Sequence, residues 1–289
     1  MKSRLVSLQE ASEMVEDGGC VAVGGLTIHR KPMSLVRELI RMGRRRLSLL
    51  VFGGGPDVDM LVGSGVVESV EAAYVGFEIL GLAPSFRRAA ESGRLRFREH
   101  SEYSMMAGLL ATAFKAEFIP SRILQGTDVV RNLGYKTFKS PLTGESLIAY
   151  PRLEPDVAII HAQACDEYGN TRIEGVTAID LLLAKASRKV IVTAEKLVPV
   201  EEMMRNLSGT NLPSTFVDYV VESQFGAHPT SCYPYYTYDL WHMISYIESC
   251  RDGRLEDYLQ TYVRGVDSHE SYLRQVGEDR LSRLKVKDW

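Results

Sequence analysis

The chain has 289 residues, of which 45% are hydrophobic and 25% are charged, and its formal net charge is −3 at pH 7. This composition is typical of a soluble globular protein that buries a substantial core. The balanced charge predicts no nucleic-acid binding, and the lack of a long apolar run predicts neither a membrane segment nor a secretion signal. The four cysteines form no C-x-x-C pair, which favours a cytoplasmic location over a disulfide framework.

Helix-like and strand-like segments alternate along the first third of the chain. Apolar residues at helical spacing predict a helix over residues 8–15. Pro32 and Gly43 mark the start and the end of a second helix, and a third is predicted after Pro56. Short β-prone runs predict strands at 20–23, 47–52, 70–77 and 95–97.

The same alternation continues in the second half. Strands are predicted at 157–161, 189–194 and 216–222, with a helix at 177–186. This order predicts an α/β fold with an open, mainly parallel sheet and helices on both faces. Helical spacing from residue 239 to 289 predicts a helical C-terminal layer. Because no linker or repeat divides the chain, residues 1–289 are interpreted as a single domain.

A run of three glycines, Gly53, Gly54 and Gly55, follows a predicted strand and precedes a predicted helix. The third glycine of a dinucleotide-binding G-x-G-x-x-G motif would fall at Val58, so that motif is absent. A glycine turn at the carboxyl end of a parallel strand can offer free backbone N–H groups to an anion or a developing oxyanion. A plain tight turn is equally compatible with these residues.

The segment RFREHSEYSMMAG places Glu102 at the start of a predicted helix, directly after a strand. Open α/β sheets carry their active residues at such positions. Spacing alone favours the simpler alternative, in which Ser101 is the N-cap and Glu102 complements the helix dipole.

Metal and serine-hydrolase motifs are missing from the sequence. No serine lies in G-x-S-x-G, and no histidines are paired as H-x-x-x-H or HExxH. His228 and Cys232 have metal-like spacing but no second pair of ligands nearby. A structural loop is therefore expected there, and no metal site is predicted.

Residues 17–32, DGGCVAVGGLTIHRKP, resemble the first signature of the family I coenzyme A-transferases. The shared pattern is Asp-Gly, two variable residues, three aliphatic residues, the pair Gly24-Gly25, and a proline seven residues later. Leu26 stands where the family usually has phenylalanine, and Arg30 where it usually has glycine. Later segments are similar, in order, to A (alpha) subunits of the glutaconate CoA-transferase branch: GGGPDVDMLVGSG, EHSEYS, PDVAIIHAQACDEYGN, KVIVTAEKLVP and GAHPTSCYPYY.

This resemblance implies an A (alpha) subunit that works with a B (beta) subunit, as AB or A2B2, on an acyl-CoA substrate. It implies transfer of CoA between carboxylic acids through a glutamyl-CoA thioester, with no permanently bound cofactor and with coenzyme A as part of the substrate. The nucleophilic glutamate of the family lies in a Ser-Glu-Asn-Gly type motif of the B subunit. This sequence has no such motif, as expected of an A chain. Gly24 and Gly25 then form the signature loop, and the glycines at 53–55 contribute to substrate binding.

A second branch of the family implies another reaction. Its A chains resemble this one but open or hydrolyse cyclic CoA thioesters in steroid-ring degradation, with an A-chain glutamate acting on water or substrate. Glu102 matches that position, and Arg122 in FIPSRILQGTD would pair with a substrate carboxylate. Arg122 could equally be a surface residue. A non-catalytic sensor of acyl-CoA or sugar phosphate is a third alternative.

Overall fold

The computed structural model describes residues 2–286. Its first half is built from four strand and helix repeats that follow a short first helix. The elements are α1 Leu8–Glu13, β1 Cys20–Val23, α2 Met33–Arg41, β2 Leu47–Gly54, α3 Pro56–Gly63, β3 Val67–Val75, α4 Pro84–Glu91, β4 Arg96–Glu99 and α5 Glu102–Ala113. A 3-10 turn, Glu78–Leu80, lies between β3 and α4.

A small antiparallel sheet follows α5. It contains β5 Phe118–Ser121, β6 Lys136–Lys139 and β7 Ser146–Pro151 in the order β5-β7-β6, with α6 Asp128–Asn132 between β5 and β6. Ile148 and Tyr150 of β7 pack on Ala107 of α5 and form a small core of their own. This sheet was not predicted from the sequence.

The second half completes the main sheet and adds the C-terminal helices. Its elements are β8 Val157–Cys165, β9 Thr171–Arg172, α7 Asp180–Ala186, β10 Lys189–Leu197, α8 Val200–Arg205, β11 Tyr219–Glu222, α9 Leu240–Arg251, α10 Leu255–Leu259, α11 His269–Val276 and α12 Glu278–Leu284. Two 3-10 turns, Leu207–Gly209 and Ser214–Phe216, precede β11, and a π-helical turn, Gln260–Arg264, follows α10.

The main sheet has the strand order β11-β10-β8-β1-β2-β3-β4, with every neighbouring pair parallel and β9 antiparallel to the end of β8. The chain moves outward from β1 to β4, and then starts again on the other side of β1 with β8. This reversal between β1 and β8 is the topological switch point, where open α/β sheets leave a crevice at the carboxyl ends of their strands.

Alternate residues of the strands point to two different cores, which confirms helices on both faces. Val21 and Val23 face a core shared with α1, α2, α3 and α9, whereas Ala22 faces a core shared with α5 and α7. Burial on both faces explains why the central strands are continuous apolar runs, with all nine residues of β8 buried.

Several predicted boundaries were wrong by a few residues. The strand predicted at 216–222 starts at Tyr219, because the residues after Pro213 form a 3-10 turn. The helix predicted at 177–186 starts at Asp180, and the strand predicted at 70–77 spans Val67–Val75.

The C-terminal helical layer is confirmed over residues 240–284. Its first helix begins where the Asp239 side chain accepts a hydrogen bond from the His242 N–H, as an N-cap does. Residues 287–289 of the predicted segment lie outside the described residues. Within residues 2–286, none of the helices has the length and apolar character needed to cross a membrane.

Candidate active site

The Gly24-Gly25 loop leaves β1 at the switch point and is tied to the neighbouring strand and helix. The Gly24 N–H donates to Ile159 O of β8 at 2.9 Å, and the Gly25 N–H donates to Asp180 Oδ1 at 2.9 Å. Gly25 has φ +73°, and a Cβ there would lie 2.5 Å from Arg30 O. Only glycine fits this turn without displacing the rest of the loop.

Arg30 holds the far side of the same loop. Its φ of +55° explains why glycine is usual at this position, since other residues rarely adopt the left-handed conformation. The buried guanidinium donates to His161 O at 2.5 Å and to Val176 O at 2.8 Å, and it pairs with Asp180 Oδ2 at 2.5 Å. Asp180 therefore binds both ends of the loop, through Gly25 and through Arg30.

A second buried ion pair joins this loop to the glycine turn after β2. Lys31 Nζ lies 2.9 Å from Asp57 Oδ2 and donates to Gly53 O at 3.0 Å, and both side chains are fully buried. The contact with Asp57 is a close ion pair, but its angles fall outside those of a hydrogen bond. Removing one partner of a buried ion pair leaves the other charge buried without a counter-ion, which strongly destabilises a protein. The pair of Lys31 and Asp57 therefore fixes how the two loops pack together.

The predicted turn of three glycines is shorter in the structure, because Gly53 and Gly54 are the last residues of β2, paired with Tyr74 and Val75 of β3, and only Gly55 lies between β2 and α3. A Cβ on Gly55 would lie 2.2 Å from Thr27 O, and a Cβ on Gly53 would lie 2.6 Å from Leu26 Cδ1. The expectation that these glycines offer free backbone N–H groups was wrong for Gly55, whose N–H donates to Asp57 Oδ1 at 2.7 Å. The glycines permit close packing of the two loops, and their contact with substrate stays a prediction.

Glu102 is the first residue of α5, and its side chain is exposed. The cap is Ser101, whose hydroxyl accepts from the Ser104 N–H at 3.0 Å while Ser104 Oγ accepts from the Ser101 N–H at 3.0 Å. Within residues 2–286, no hydrogen-bond or ion-pair partner contacts the Glu102 carboxylate. Because Ser101 and Ser104 form the cap, the Glu102 carboxylate is not needed for capping and is free at the carboxyl edge of the sheet.

The residue beside this helix start, His100, is buried. Its Nε2 lies 2.8 Å from Glu71 Oε2, and its Nδ1 lies 3.3 Å from Ser104 Oγ and 3.4 Å from the Tyr135 hydroxyl. Burial raises the pKa of Glu71, but hydrogen bonds from His100 and Arg98 outweigh it and lower that pKa below its ordinary value. The network fixes the end of β4 and the first turn of α5, and so fixes the position of Glu102.

Arg122 lies directly after β5, where its guanidinium pairs with Glu145 at 2.9 Å on the exposed surface. Binding of a substrate carboxylate by Arg122 would have to replace this contact, and stays a prediction. The structure links this segment to α5 through aromatic rings. Tyr103 and Tyr150 have centroids 5.3 Å apart, and the Tyr150 hydroxyl donates to Ile123 O.

Two buried clusters contain potential metal ligands, and His228 and Cys232 lie in different ones. The first contains His161, Glu195 and Cys232. Glu195 accepts from His161 Nε2 at 2.8 Å, from the Phe225 and Gly226 N–H groups at 2.6 and 3.1 Å, and from the Tyr236 hydroxyl. Its oxygens are thus used to hold the segment after β11 against the sheet.

The second cluster contains His228, Asp239 and His242. Asp239 accepts from the Arg280 guanidinium as well as contacting His228, and these hydrogen bonds lower its pKa although burial raises it. The nearby guanidinium opposes a metal cation. This cluster ties the start of α9 to α12.

A polar group beside the signature loop was not predicted from the sequence. His29 and Glu78 are both partly exposed, with His29 Nε2 3.6 Å from Glu78 Oε1. The Thr27 hydroxyl donates to the same carboxylate, and His29 Nδ1 lies 2.8 Å from Ser231 Oγ. The only available sequence signal was the position of Glu78, shortly after the end of a predicted strand.

Known proteins resemble this chain over nearly its full length. The A (alpha) subunit of glutaconate CoA-transferase from Acidaminococcus fermentans is 31% identical over 98% of this chain and 95% of its own length. The crystal structure of that enzyme matches with a TM-score of 0.94 and 30% identity, covering 99% of this chain and 96% of the other. The IpdA subunit of the cholesterol ring-cleaving hydrolase from Rhodococcus jostii is 32% identical over 96% of this chain and 98% of its own length.

One further relative is longer. An uncharacterised protein of Archaeoglobus fulgidus is 36% identical over 99% of this chain, which spans 65% of that protein's length. The sequence profile of the coenzyme A transferase family matches residues 5–223. The fold, the signature loop at the switch point and these matches agree. They show that the chain belongs to the coenzyme A transferase family and is of the alpha-subunit type.

Proposed function

We propose that this chain is the alpha component of a two-subunit enzyme that transfers CoA between carboxylic acids. The observation that carries the proposal is the match to the alpha subunit of a glutaconate CoA-transferase, which extends over 98% of this chain and 95% of the relative. The sequence has no Ser-Glu-Asn-Gly motif, so the nucleophilic glutamate is assigned to a B subunit. The assembly would be AB or A2B2, in the cytoplasm, with coenzyme A as part of the substrate and no permanently bound cofactor.

The proposed reaction divides transfer into two exchanges at a glutamate of the B subunit. The glutamate carboxylate attacks the acyl-CoA carbonyl, and CoA leaves as a thiolate to give a mixed acyl-glutamyl anhydride. The thiolate then attacks the glutamyl carbonyl, which releases the first carboxylate and forms the glutamyl-CoA thioester. A second carboxylate repeats these steps in reverse and leaves as the new CoA ester.

In this scheme the present chain binds and orients the substrate. The carboxyl edge around Gly24 and Gly25 is fixed by two buried ion pairs, Arg30 with Asp180 and Lys31 with Asp57. A rigid edge suits this role, because binding energy from the CoA moiety lowers the barrier only if the reacting carbonyl is held in position. We assign the turn at 53–55 to the same substrate-binding surface.

The thioester is the species to test. The chain is purified with its B subunit, incubated with an acyl-CoA, and treated with borohydride, which reduces a glutamyl thioester to an alcohol. The expected result is a peptide of the B subunit with the mass of the reduced glutamate, dependent on acyl-CoA. An active complex without this adduct would refute the thioester route.

A second function is favoured by the position of Glu102. Its carboxylate is exposed, unpaired within residues 2–286, and held in place by the neighbouring His100 network. A relative that is 32% identical is named as a subunit of a ring-cleaving hydrolase. In this alternative Glu102 is the general base that takes a proton from water as it attacks a cyclic CoA substrate, and Arg122 binds a substrate carboxylate.

Glu102→Gln separates the two functions. The hydrolase alternative requires a loss of kcat of about 100-fold or more, because the amide cannot accept the proton. Glu99→Gln is the matched control, since Glu99 is also an exposed carboxylate at the end of β4. Near-normal turnover in the Glu102 variant would exclude Glu102 as the base and leave the transferase proposal.

A further inference from the structure

A polar cluster joins the signature loop to the turn after β3 and to the segment that precedes α9. The Thr27 hydroxyl donates to Glu78 Oε1, and His29 Nε2 lies 3.6 Å from the same oxygen. Ser231 Oγ lies 2.8 Å from His29 Nδ1. These contacts fix both the glutamate and the imidazole, although the residues come from three distant parts of the chain.

The cluster is accessible, and one carboxylate oxygen is unused. The side chains of His29 and Glu78 are 39% and 38% exposed. Within the described part of the chain, Thr27 and His29 both approach Oε1, and no donor contacts Glu78 Oε2. A carboxylate that is fixed at one oxygen and free at the other is prepared to accept a hydrogen bond from a ligand.

The backbone at this cluster is strained. Thr27, Arg30 and Glu78 have φ values of +48°, +55° and +52°, in the left-handed region that disfavours residues with a Cβ. For the β-branched Thr27 this conformation is a clear outlier. Such conformations cost about 1–3 kcal/mol each and are concentrated at functional sites, where the surrounding structure maintains them.

Apolar side chains flank the cluster on the same turn. The turn is closed by a hydrogen bond from the Phe77 N–H to Gly81 O at 2.7 Å and by pairing of Gly76 with Leu82. Ile79 at its tip is 89% exposed, and Leu82 is 56% exposed. A few fixed polar groups beside exposed apolar residues are typical of a small-molecule site.

We infer that Glu78, positioned by Thr27 and His29, binds a hydrogen-bond donor of the acyl-CoA substrate. This inference rests on the proposed function, since it requires the chain to bind acyl-CoA. An ionised carboxylate accepts hydrogen bonds and repels carboxylates and phosphates, which leaves the N–H and O–H groups of the substrate as ligands. Two parts of the substrate have this chemistry: the CoA moiety, through its amide N–H, hydroxyl and amino groups, and a hydroxyl group on the acyl chain.

Calorimetric titration of the A–B complex with CoA, butyryl-CoA and 3-hydroxybutyryl-CoA tests the inference. Glu78→Gln removes the charge at nearly constant size and is expected to raise Kd about tenfold or more, the usual value of a hydrogen bond to a charged group. An equal loss for all three ligands places the donor on the CoA moiety. A loss confined to 3-hydroxybutyryl-CoA identifies the acyl hydroxyl.

Thr27 variants test the positioning and do not depend on the Glu78 variant being folded. Thr27→Val deletes the hydroxyl that holds Glu78 and is expected to weaken the same ligands, whereas Thr27→Ser keeps the hydroxyl and should restore affinity. Glu99→Gln, an exposed carboxylate on β4, is the control and should leave Kd within about twofold of the wild-type value.

The outcomes separate this inference from the proposed function. If the wild-type complex binds CoA esters and both Glu78→Gln and Thr27→Val bind all three ligands normally, Glu78 has no binding role, while the proposed function stands. If the wild-type complex binds none of the three ligands, both are overturned.

Discussion

The carboxyl edge of the sheet has an inner region and an outer region that are built differently. In the inner region, residues 24–32 pack on the glycines at 53–55. The buried ion pair of Lys31 with Asp57 joins these two segments, and the buried pair of Arg30 with Asp180 joins residues 24–32 to α7. In the outer region, Glu102 is exposed, and Arg122 pairs with the exposed Glu145.

The two regions therefore differ in their expected roles: the inner region fixes the backbone, and the outer region presents accessible side chains. The residues of the family signature form the inner region, where glycines and buried charges fix the backbone. The candidate base Glu102 and the candidate carboxylate-binding Arg122 lie in the outer region, where both side chains are exposed to solvent. Removing one partner of a buried ion pair costs about 3–5 kcal/mol, whereas an exposed pair contributes about 0–1 kcal/mol. Substitutions in the two regions should therefore differ in which property they change.

The largest effect is expected for Asp180→Asn. Loss of the charge leaves the Arg30 guanidinium buried without its counter-ion, and the free energy of unfolding should fall by about 3–5 kcal/mol. Urea denaturation measures the change. The control is Glu91→Gln, which breaks the exposed pair with Arg87 and should cost about 0.5 kcal/mol or less. Equal losses in the two variants would mean that the inner region is not fixed by its ion pair.

The free energy of unfolding is expected to depend on pH through Asp59, a buried carboxyl group on α3. Burial raises its pKa to about 6 from 3.8, although hydrogen bonds from the Phe86 N–H and the Tyr246 hydroxyl oppose the shift. The folded protein binds this proton more tightly than the unfolded chain does. The contribution of Asp59 to stability is therefore present below about pH 4 and is lost as the pH rises to about 6.

The shift corresponds to about 3 kcal/mol. Asp59→Asn should remove this part of the pH dependence, so that the difference in unfolding free energy between variant and wild type changes by about that amount between about pH 4 and pH 7. Denaturant titrations at the two pH values measure it. A constant difference between variant and wild type across this window would show that Asp59 does not titrate as expected.

A smaller effect is expected for Gly55→Ala, which tests how tightly the two loops of the inner region pack. The new Cβ would lie 2.2 Å from Thr27 O, a backbone atom, so that one of the loops must move. Overpacking of this kind costs about 1–3 kcal/mol. Gly93→Ala is the comparison, because its Cβ meets open space and only its φ of +69° is strained. A Gly55 variant more stable than the Gly93 variant would contradict close packing here.

The smallest effect is expected in the outer region, for Glu145→Gln. It breaks the exposed contact with Arg122 and should lower the unfolding free energy by less than about 1 kcal/mol. The effect should shrink further in about 1 M salt, which screens exposed charges. Thermal unfolding at low and high salt measures it. A loss of several kcal/mol would mean that this pair supports the fold and is not available to a ligand.

Secondary structure was predicted best where a run of apolar residues is also buried in the main sheet. β1, β2, β8 and β10 are apolar runs bounded by glycine or charged residues, and all four strands were predicted. Ser101 predicted the start of α5 correctly, which placed Glu102. The small antiparallel sheet was missed because Lys136–Lys139 and Phe118–Ser121 contain charged residues or proline and form no apolar run. Packing of Tyr150 on α5 stabilises it, and that contact is not visible in sequence.

The site was only partly predictable for the same reason. The Gly24-Gly25 loop was identified from its motif, but the partners that hold it are remote in sequence. Thr27 and Glu78 are 51 positions apart and meet only because β1, β2 and β3 are neighbours in a parallel sheet. A motif indicates that a loop is present, whereas the strand order decides which side chains approach it.

The central claim is that this chain, with its B subunit, transfers CoA between carboxylic acids. The most direct measurement is mass spectrometry of an acyl-CoA panel incubated with the complex, with and without isotopically labelled acetate. We predict labelled acetyl-CoA, formed only when acetate is present, together with the free acid of the donor. Free CoA or a ring-opened CoA ester that forms without acetate would contradict the claim and assign the chemistry to the hydrolase alternative, with Glu102 as its base.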